Sequence, residues 1–295
     1  MMKVLNFGSL NLDYVYSVDH MVTPGETLAS GGMNVFCGGK GLNQSIALVK
    51  AGVPVYHAGM IGEEGGILLE ACREGGVNDK FIRTIHGKSG HTIIQVDKNG
   101  QNCILLYGGA NRSLTKEYID EVLANFEKGD ILLLQNEVNL LDYIIERAYG
   151  RGMVIILNPS PYDSALDACD FRKVSMFLMN EVEGAQVTGE EDPEKILDKL
   201  KVLYPDTKVV LTLGGNGSVY QYKDEQHRQG IYKVKAVDTT AAGDTFTGYF
   251  ISSIIDELSV PEGLELAAKA AAIAVSREGA AASIPLKKEV MGFEL

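Results

Sequence analysis

Cysteine is scarce in this chain, and the positions of the few cysteines exclude the usual cysteine-based sites. The 295 residues contain only Cys37, Cys72, Cys103 and Cys169, with no CxxC pair among them. The five histidines show no ligand spacing such as HExxH. We therefore expect reduced thiols, no disulfide framework and no zinc site.

Basic charge is also in short supply. The chain carries 27 Lys and Arg against 39 Asp and Glu, a formal net charge of −12. An acidic protein of this kind repels phosphate backbones and anionic lipid, so we expect no nucleic-acid partner and no membrane partner. A small phosphorylated ligand stays compatible if a lysine, backbone dipoles or a cation reverse the field locally.

Long apolar runs are missing as well. No segment reaches the length of a transmembrane helix, and residues 1–8 are typical of a short strand rather than a signal peptide. Hydrophobic residues make up 45% and charged residues 22%, with no repeats and no evident linker. The sequence therefore predicts one globular domain over 1–295, in the cytoplasm.

Strand and helix signals alternate along most of the chain. Strand patterns occur at 4–7, 55–57, 81–83, 131–134, 154–157, 176–178 and 209–213. Helical patterns occur at about 40–51, 64–75, 115–127, 140–149, 181–188, 193–203 and 246–254. This alternation is typical of an α/β fold whose mostly parallel sheet is covered on both faces.

Two regions interrupt the alternation. Residues 13–18 and 29–36 are typical of exposed antiparallel strands. Strand patterns at 91–96 and 103–107 flank an Asn99-Gly100 turn, which strongly favours a hairpin. We expect segments of about 12–36 and 90–108 to form a small antiparallel sheet beside the main one, suited to a lid.

The stretch VDTTAAGDTFTG at 237–248 is the most informative motif. The small residues Ala241, Ala242 and Gly243 let backbone approach a ligand at a helix start, where free N–H groups favour a phosphate. Asp244 then suits the base that accepts a proton from an attacking hydroxyl. A simple βα turn with a helix-capping Asp explains the segment equally well by itself.

The segment GGKGLN at 38–43 opens another predicted helix. Its glycines let the backbone approach a polar ligand closely. Lys40 would supply positive charge to that ligand, and Asn43 would face the same opening of the site. These features favour a binding site over a merely flexible βα turn. The segment is not a Walker A loop, and the chain has no GxGxxG, which argues against a dinucleotide site.

Two more motifs follow predicted strands at the same end. Asn180 and Glu183 suit a hydrated Mg²⁺ ion, although Asn-x-x-Glu taken alone is better explained as a helix capping box. The Gly-rich bend from Thr212 to Gly217 is compatible with wrapping a nucleotide and equally with a plain turn.

Polar residues that suit a sugar lie beyond further strands. Asn11, Asp13, Asn43 and Glu137 offer the donors and acceptors that a polyhydroxylated ligand needs, although each alone is an ordinary loop residue. All these segments map to one edge of the predicted sheet. Ligands of parallel sheets collect at the carboxyl ends of the strands, so the sequence predicts one shared site there.

In this order, the motifs resemble the ribokinase family of sugar kinases along essentially the whole chain. The two signatures are residues 38–43 and 238–246, and the match extends to PGET at 24–27, GAN at 109–111, NPSP at 158–161, NEVE at 180–183 and TLG at 212–214. The resemblance implies a three-layer α/β/α sandwich with a β-sheet lid that often clasps a second subunit, hence a homodimer. It also implies transfer of the γ-phosphate of ATP to a sugar hydroxyl, with D-ribose yielding ribose 5-phosphate as the expected reaction.

The resemblance implies roles for individual residues as well. Asp244 would be the base, and the backbone of Ala241, Ala242, Gly243 and Asp244 the anion hole. The residues implied to contact the sugar are Asn11, Asp13, Gly39, Lys40, Asn43, Glu137 and Asp244, and those implied to contact the nucleotide are Asn180, Thr212, Gly214, Gly217 and Gly243. The resemblance places Mg²⁺ near Glu183. It places K⁺ at Asp238, Thr240, Ala274, Arg277, Gly279 and Ser283, several of which would act through carbonyl oxygens.

Four positions depart from the family pattern. Leu42 and Gly109 stand where Ala is usual, Asn136 where Leu is usual, and Ala268 where His or Asn often touches adenine. These changes leave kinase chemistry intact. Because Asn136 adds a polar group beside Glu137, we expect it to influence sugar preference.

Alternative functions remain open at this point. The same fold can phosphorylate another pentose, a hexose or a nucleoside, for which Tyr14, Tyr16 and Phe36 are candidate stacking residues or ordinary lid packing. A non-catalytic sugar or nucleotide sensor is the alternative of a different class. Retention of Lys40 and Asp244 together disfavours a sensor, because a sensor has no use for a base.

Overall fold

Two sheets of unequal size organise the chain. The computed structural model describes residues 2–293. Its strands are β1 Val4–Phe7, β2 Asn11–Ser17, β3 Gly32–Gly38, β4 Val55–Ile61, β5 Asn78–Thr84, β6 Gly90–Val96, β7 Asn102–Tyr107, β8 Ile131–Gln135, β9 Val154–Asn158, β10 Met176–Asn180, β11 Lys208–Thr212, β12 Ser218–Tyr222 and β13 Glu225–Gln229. Its α-helices are α1 Lys40–Lys50, α2 Gly66–Glu74, α3 Lys116–Leu123, α4 Leu141–Gly150, α5 Glu181–Thr188, α6 Pro193–Leu203, α7 Ala242–Ile255, α8 Val260–Val275 and α9 Lys287–Met291.

The main sheet has the order β13-β12-β11-β10-β9-β8-β1-β4-β5. The strands from β5 to β11 in that order run parallel, and only the edge hairpin β12–β13 is antiparallel. Their carboxyl ends therefore share one edge, as the alternating sequence pattern predicted. The α/β class and the mostly parallel sheet are confirmed.

Helices cover both faces of the main sheet. On β1, Leu5 and Phe7 point into a core shared with α3, α4 and α6, whereas Val4 points into a core shared with α1, α2, α7 and α8. This alternation within a buried strand follows from the period of two in side-chain direction. The three-layer α/β/α sandwich is therefore confirmed.

The small sheet has the order β3-β2-β6-β7 and is separate from the main sheet. Both outer pairs are antiparallel, and the hairpin β6–β7 turns at Asn99-Gly100 as predicted. The central pair β2–β6 is parallel, a detail that the local sequence pattern did not reveal. Parallel pairing joins segments far apart in sequence, so no turn residue announces it.

Several boundaries differ from the sequence predictions. Strand β4 runs to Ile61 instead of residue 57, because the small residues Ala58 and Gly59 hide the pattern there. Strands β12 and β13 were not predicted. The chain turns between them at Lys223, which has a φ of 53° without being Gly or Asn, and β13 is polar throughout. The turn signal and, for β13, the strand signal are therefore not visible in the sequence.

Helices α1 and α7 approach each other closely at Gly248. A Cβ atom added at Gly248 would lie 2.4 Å from the Cβ of Ala47 and 2.8 Å from its carbonyl carbon. Only a residue without a side chain fits this crossing. The contact brings the first turns of α1 and α7 together at the carboxyl edge of the sheet.

Within residues 2–293, no helix combines the length and the apolar composition needed to cross a membrane.

The helix crossing can be tested by replacing Gly248 with Ala. The added methyl group overpacks backbone as well as side chain, and we expect a loss of about 1–3 kcal/mol, seen as a lower thermal midpoint. The matched control is Gly150→Ala in α4, where an added Cβ meets nothing within 4 Å. That variant should be neutral or slightly stabilised. Equal midpoints for the two variants would contradict a tight α1–α7 contact.

Candidate active site

Asp244 lies in the first turn of α7 and is only 7% exposed. Asn43 donates to its Oδ2 across 3.1 Å, and Gln44 donates to its Oδ1 across 2.9 Å. Burial raises the pKa of Asp244, while the charge of Lys40 and these two hydrogen bonds act in the opposite direction. The structure thus places a buried carboxylate, held by two amides, at a helix start.

Lys40 is the first residue of α1 and supplies the positive charge of the site. Burial disfavours that charge, but the carboxylates of Asp244, Glu137 and Glu183 outweigh burial and raise the pKa of Lys40. Lys40 is therefore charged over the physiological range. With one positive charge among three carboxylates, this group of side chains favours a ligand that carries further positive charge, such as a metal complex.

The start of α1 is held by a carboxylate from another loop. Glu137 accepts the backbone N–H of Lys40 across 3.1 Å and the hydroxyl proton of Ser9. The Ser9 oxygen in turn accepts the N–H of Gly41 across 3.2 Å. Burial raises the pKa of Glu137, opposed by the Ser9 hydrogen bond and by Lys40. Gly39, with a φ of 95°, provides the turn into this helix.

Two of the residues predicted to contact the sugar, Asn11 and Asp13, lie at the beginning of β2. The Oδ1 atom of Asn11 accepts from Asn111 across 2.7 Å, and Oδ1 of Asp13 accepts from Thr92 across 2.5 Å. Burial raises the pKa of Asp13, and the Thr92 hydrogen bond lowers it. A Cβ at Gly38 would lie 2.0 Å from Oδ2 of Asp13, so the glycine leaves room for the carboxylate.

A polar cavity of about 200 Å³ opens beside Asp244. Its polar lining includes Lys40, Asn158, Asn180, Glu183 and Asp244. A second cavity, of about 790 Å³, is mostly apolar. Its lining includes Ala268, Ala271 and Ala272 of α8 as well as Gly214 and Gly217. The two cavities share Asn180, Thr212, Gly243 and Phe246. Together the two cavities form one cleft, apolar at one end and charged at the other.

The motif at 180–183 is a helix capping box. The side chain of Asn180 accepts the N–H of Glu183 across 2.9 Å, and Glu183 accepts the N–H of Asn180 across 3.0 Å. The structural explanation is therefore confirmed, and it does not exclude the functional one, because both residues also line the polar cavity. No group of three or more His, Cys, Asp or Glu side chains able to hold a metal occurs in the described part of the chain. One buried carboxylate beside an open polar cavity fits a Mg²⁺ ion that keeps its waters and is held mainly by a phosphate ligand.

The first turn of α7 offers backbone donors to the cleft. The N–H of Ala242 is engaged by the carbonyl of Thr239 across 3.2 Å. Within residues 2–293, the N–H groups of Gly243 and Asp244 have no acceptor, and Gly243 is exposed. The N–H of Ala241 has no acceptor in this range either, but Ala241 is buried and lines neither cavity. Of the predicted anion hole, Gly243 and Asp244 are therefore the residues whose free N–H groups adjoin the cleft.

Two of the other residues predicted for K⁺, Thr240 and Gly279, are hydrogen-bonded to Asp238. Its Oδ1 accepts from the N–H and the hydroxyl of Thr240, and its Oδ2 accepts the N–H of Gly279 across 3.1 Å. Burial raises the pKa of Asp238, and these hydrogen bonds outweigh burial and lower it. Among residues 2–293, Asp238 has no ion-pair partner, which leaves its negative charge available to a cation. The side chain of Arg277 forms an ion pair with Glu289 at 2.7 Å, and the N–H of Arg277 donates to the carbonyl of Ala274. The hydroxyl of Ser283 donates to the carbonyl of Ala280.

The structure explains two of the departures noted in the sequence. The amide of Asn136 donates to the carbonyl of Pro161 across 2.7 Å and to Asp163 across 2.9 Å. It therefore ties down the loop after β9, while its buried Oδ1 has no partner among residues 2–293. The expected influence of Asn136 on sugar preference stays a prediction. Ala268 lines the larger cavity, where its small side chain leaves space.

Sequence reasoning missed Gln44 as a member of the site. Gln44 is 1% exposed and contacts Asp244, Asn158 and Gln135. Its position four residues after Lys40 places it on the same helix face, a spacing that was visible in the sequence. Its partners across the sheet were not.

The fold and the geometry of the site agree with a comparison against protein families. Residues 1–287 match the model of the pfkB family of carbohydrate kinases. The chain belongs to this family.

Several individual relatives are ribokinases. The chain is 33% identical to the ribokinase of Haemophilus influenzae, over 97% of this chain and 96% of that protein. The structure matches the crystal structure of ribokinase from Thermotoga maritima with a TM-score of 0.89 and 34% identity, over 99% of this chain and 98% of that one. Ribokinase from Arabidopsis thaliana, solved with ribose and ATP, matches with a TM-score of 0.89 and 28% identity over the whole of both chains.

The raised pKa of Asp244 makes a prediction about stability. A carboxyl whose pKa is higher in the folded than in the unfolded chain binds its proton more tightly when folded, so stability falls as pH rises through that window. At pH 7 the buried charge is a net cost. Asn43, whose Oδ1 has no partner among residues 2–293, can turn its amide over to accept from a new amide at position 244. We therefore expect Asp244→Asn to raise the thermal midpoint by roughly 2–4 °C. The gain should shrink as pH falls, because protonation of Asp244 removes the buried charge that the variant eliminates.

A buried structural aspartate serves as the control. Asp130 accepts the backbone N–H groups of Lys3 and Glu127, each across 2.8 Å. Asp130→Asn places an amide donor against one of these donors, so it should lower the midpoint at pH 7. A lower midpoint for Asp244→Asn as well would contradict a net cost of burying the charge of Asp244.

Proposed function

We propose that this protein transfers the γ-phosphate of ATP to D-ribose and forms ribose 5-phosphate. The observation that carries the proposal is the buried carboxylate of Asp244, which joins the polar residues around the start of α1 to the charged end of a two-part cleft. The ribokinase relatives, one of them solved with ribose and ATP, support the choice of substrates.

The larger cavity suits the adenosine part of ATP. Its apolar wall from α8 can cover a base, and Gly214 and Gly217 let backbone approach the ribose and phosphates closely. Asn180 and Thr212 border both cavities and mark the passage between them. The phosphates would then extend into the polar cavity, toward Lys40 and the start of α7.

The sugar would lie on the other side of Asp244. Asn11, Asp13, Asn43 and Glu137 provide carboxylate and amide groups around the junction of the small sheet with α1. These groups match the alternating donors and acceptors of sugar hydroxyls. Gly39 keeps the backbone free of a side chain at this junction.

Asp244 acts as the base in this proposal. It accepts a hydrogen bond from the sugar hydroxyl and takes the proton as the new O–P bond forms. At the same time the bond between the γ-phosphorus and the β,γ-bridging oxygen of ATP breaks, and ADP leaves with that bond's electron pair. Lys40 and the N–H groups of Gly243 and Asp244 stabilise the negative charge of the phosphoryl group in transfer. Mg²⁺, when bound with its waters near Glu183, would neutralise phosphate charge.

We further propose K⁺ as an activator that binds beside Asp238. The carboxylate of Asp238 is half-buried and anchors both Thr240 and Gly279, so a cation there would stiffen the segment that leads into α7. The ion would act on catalysis through the position of Gly243 and Asp244. Ala274, Arg277, Gly279 and Ser283 would contribute through carbonyl or hydroxyl oxygens.

The small sheet is proposed as the lid and as the contact surface of a homodimer in the cytoplasm. It exposes large apolar side chains on β3 and β7, among them Phe36, Leu105 and Tyr107. An apolar surface of this kind is normally covered by a partner. The ring of Tyr14 packs at right angles on His91, 5.9 Å between centroids, so it is already engaged inside the sheet and does not favour a nucleoside as acceptor.

The acceptor can be tested by ADP release with Mg-ATP and K⁺ across D-ribose, 2-deoxyribose, other pentoses, hexoses and nucleosides. We expect selective turnover on D-ribose. Asp244→Asn should lower kcat by about 10²–10⁴-fold with little change in ATP binding, since it removes the base but no ATP contact. Selective turnover on a different acceptor would overturn ribose as the substrate. If the wild-type protein binds sugar but turns over none of these acceptors, the result would favour a sensor.

The cation proposal is tested by replacing KCl with NaCl at equal ionic strength. We expect kcat to be several-fold higher in K⁺, and Asp238→Ala to abolish the difference, because the variant removes the charge that holds the ion. Equal rates in the two salts for the wild-type protein would count against a K⁺ site here.

A further inference from the structure

A chain of buried polar side chains runs through the core behind Asp244. The amide relay, as we name it, consists of Gln44 on α1, Gln135 at the end of β8 and Asn6 in β1. All three residues are at most 1% exposed. The relay lies between the main sheet and α1, beside the core that contains Val4, where an unpaired amide would be costly.

Each amide of the relay donates both of its hydrogens. Asn6 donates to the carbonyl of Gly41 across 2.8 Å and to the hydroxyl of Ser45 across 2.9 Å. Gln135 donates to Oδ1 of Asn6 across 3.1 Å and to Oε1 of Gln44 across 2.6 Å. Gln44 donates to Oδ1 of Asp244 across 2.9 Å and to Oδ1 of Asn158 across 3.2 Å.

The far end of the relay is fixed by His57, which is fully buried. Burial lowers the pKa of His57 to about 4, so the ring is neutral near pH 7. Its Nε2 atom faces the carbonyl of Gly8 at 3.1 Å, an acceptor, and therefore carries the proton. Nδ1 then accepts the hydroxyl proton of Ser45 across 2.9 Å, which leaves the Ser45 oxygen to accept from Asn6.

The direction of every hydrogen bond in the relay is therefore determined. If Gln44 turned its amide over, its oxygen would face the carboxylate of Asp244, and its NH₂ group would face the NH₂ group of Gln135. Both contacts are repulsive. Gln135 and Asn6 thus force Gln44 to present a donor to Asp244.

We propose that Gln44 is a positioning residue for phosphoryl transfer, which holds the carboxylate of Asp244 in the orientation that accepts the sugar proton. The inference rests on the proposed kinase function. With Asn43 on Oδ2 and Gln44 on Oδ1, the carboxylate is held against rotation while Asp244 lines the polar cavity. Through Asn158, which also reaches Glu183 across 3.5 Å, Gln44 ties the base to the phosphate end of the cleft.

The test is Gln44→Met, which keeps the length of the side chain and removes the donor. We expect the pKa of Asp244 to rise by about one unit, because a hydrogen bond donated to the charged form is lost. The measurement is a carboxyl ¹³C titration of the free protein, with the Asp244 signal identified by its loss in Asp244→Asn. In the pH profile of kcat/KM for the sugar, the acid limb should move to higher pH by the same amount. We expect kcat to be about tenfold lower and KM for ATP to be unchanged.

Other charged groups that face Asp244 stay in place in this experiment. They are Lys40 from α1, Glu137 from the loop after β8 and Glu183 from α5. Gln221→Met is the matched control, because Gln221 is also buried and donates to the carbonyl of Leu197 across 3.1 Å. It should lose stability like Gln44→Met but leave the Asp244 titration and the acid limb unmoved.

A second variant tests the relay behind Gln44. Gln135→Met should shift the Asp244 titration in the same direction by a smaller amount, and the double variant Gln44→Met/Gln135→Met should match Gln44→Met, since Gln135 acts only through Gln44. If Gln44→Met does not fold, Gln44→Glu keeps the side-chain shape and places a carboxyl against Asp244, with a larger upward shift expected.

The outcomes separate this inference from the proposed function. An Asp244 titration and an acid limb that stay at their wild-type values in Gln44→Met or Gln44→Glu would overturn the positioning role, even if kcat fell. The titration is measured without substrates, so a shifted pKa supports the role of Gln44 at Asp244 independently of the acceptor panel. Absence of wild-type turnover on every acceptor would instead overturn the kinase proposal.

Discussion

The burial of one carboxylate, Asp244, is the constraint on which the site depends. A charge taken out of water is stable only if hydrogen bonds and opposite charge surround it. Asn43, Gln44 and Lys40 meet this need from α1, so the two helices must begin side by side. The geometry that makes the carboxylate tolerable also aims it at the cleft.

Small residues make that geometry possible. Gly248 lets α7 cross α1 at Ala47, and a Cβ at Gly41 would lie 2.3 Å from the backbone nitrogen of Ser9. A side chain at Gly248 would push α7 away from α1, and one at Gly41 would push α1 away from the loop after β1. Asn43 and Gln44 would then lose their hold on Asp244, so stability and site geometry depend on the same contacts.

The electrostatics of the cleft run against the charge of the molecule. The chain has a net charge of −12, and Glu137, Glu183 and Asp244 add three carboxylates around Lys40. Backbone N–H groups at the start of α7 and a cation that arrives with the ligand would restore the balance. Such a site favours a metal-bound anion over a bare one, in keeping with the membership of the chain in a family of carbohydrate kinases.

The sequence by itself determined the α/β class, the small sheet and the position of Asp244 at a helix start, because side-chain periodicity and turn residues act over short distances. It did not reveal the parallel pairing of β2 with β6, or β12 and β13, whose turn at Lys223 lacks Gly or Asn. The tertiary structure alone decided that Asn136 binds Pro161 and that Gln44 joins Gln135 to Asp244. These contacts link residues up to 200 positions apart, and the partner of a polar side chain at such separation is set by packing, which no local pattern encodes.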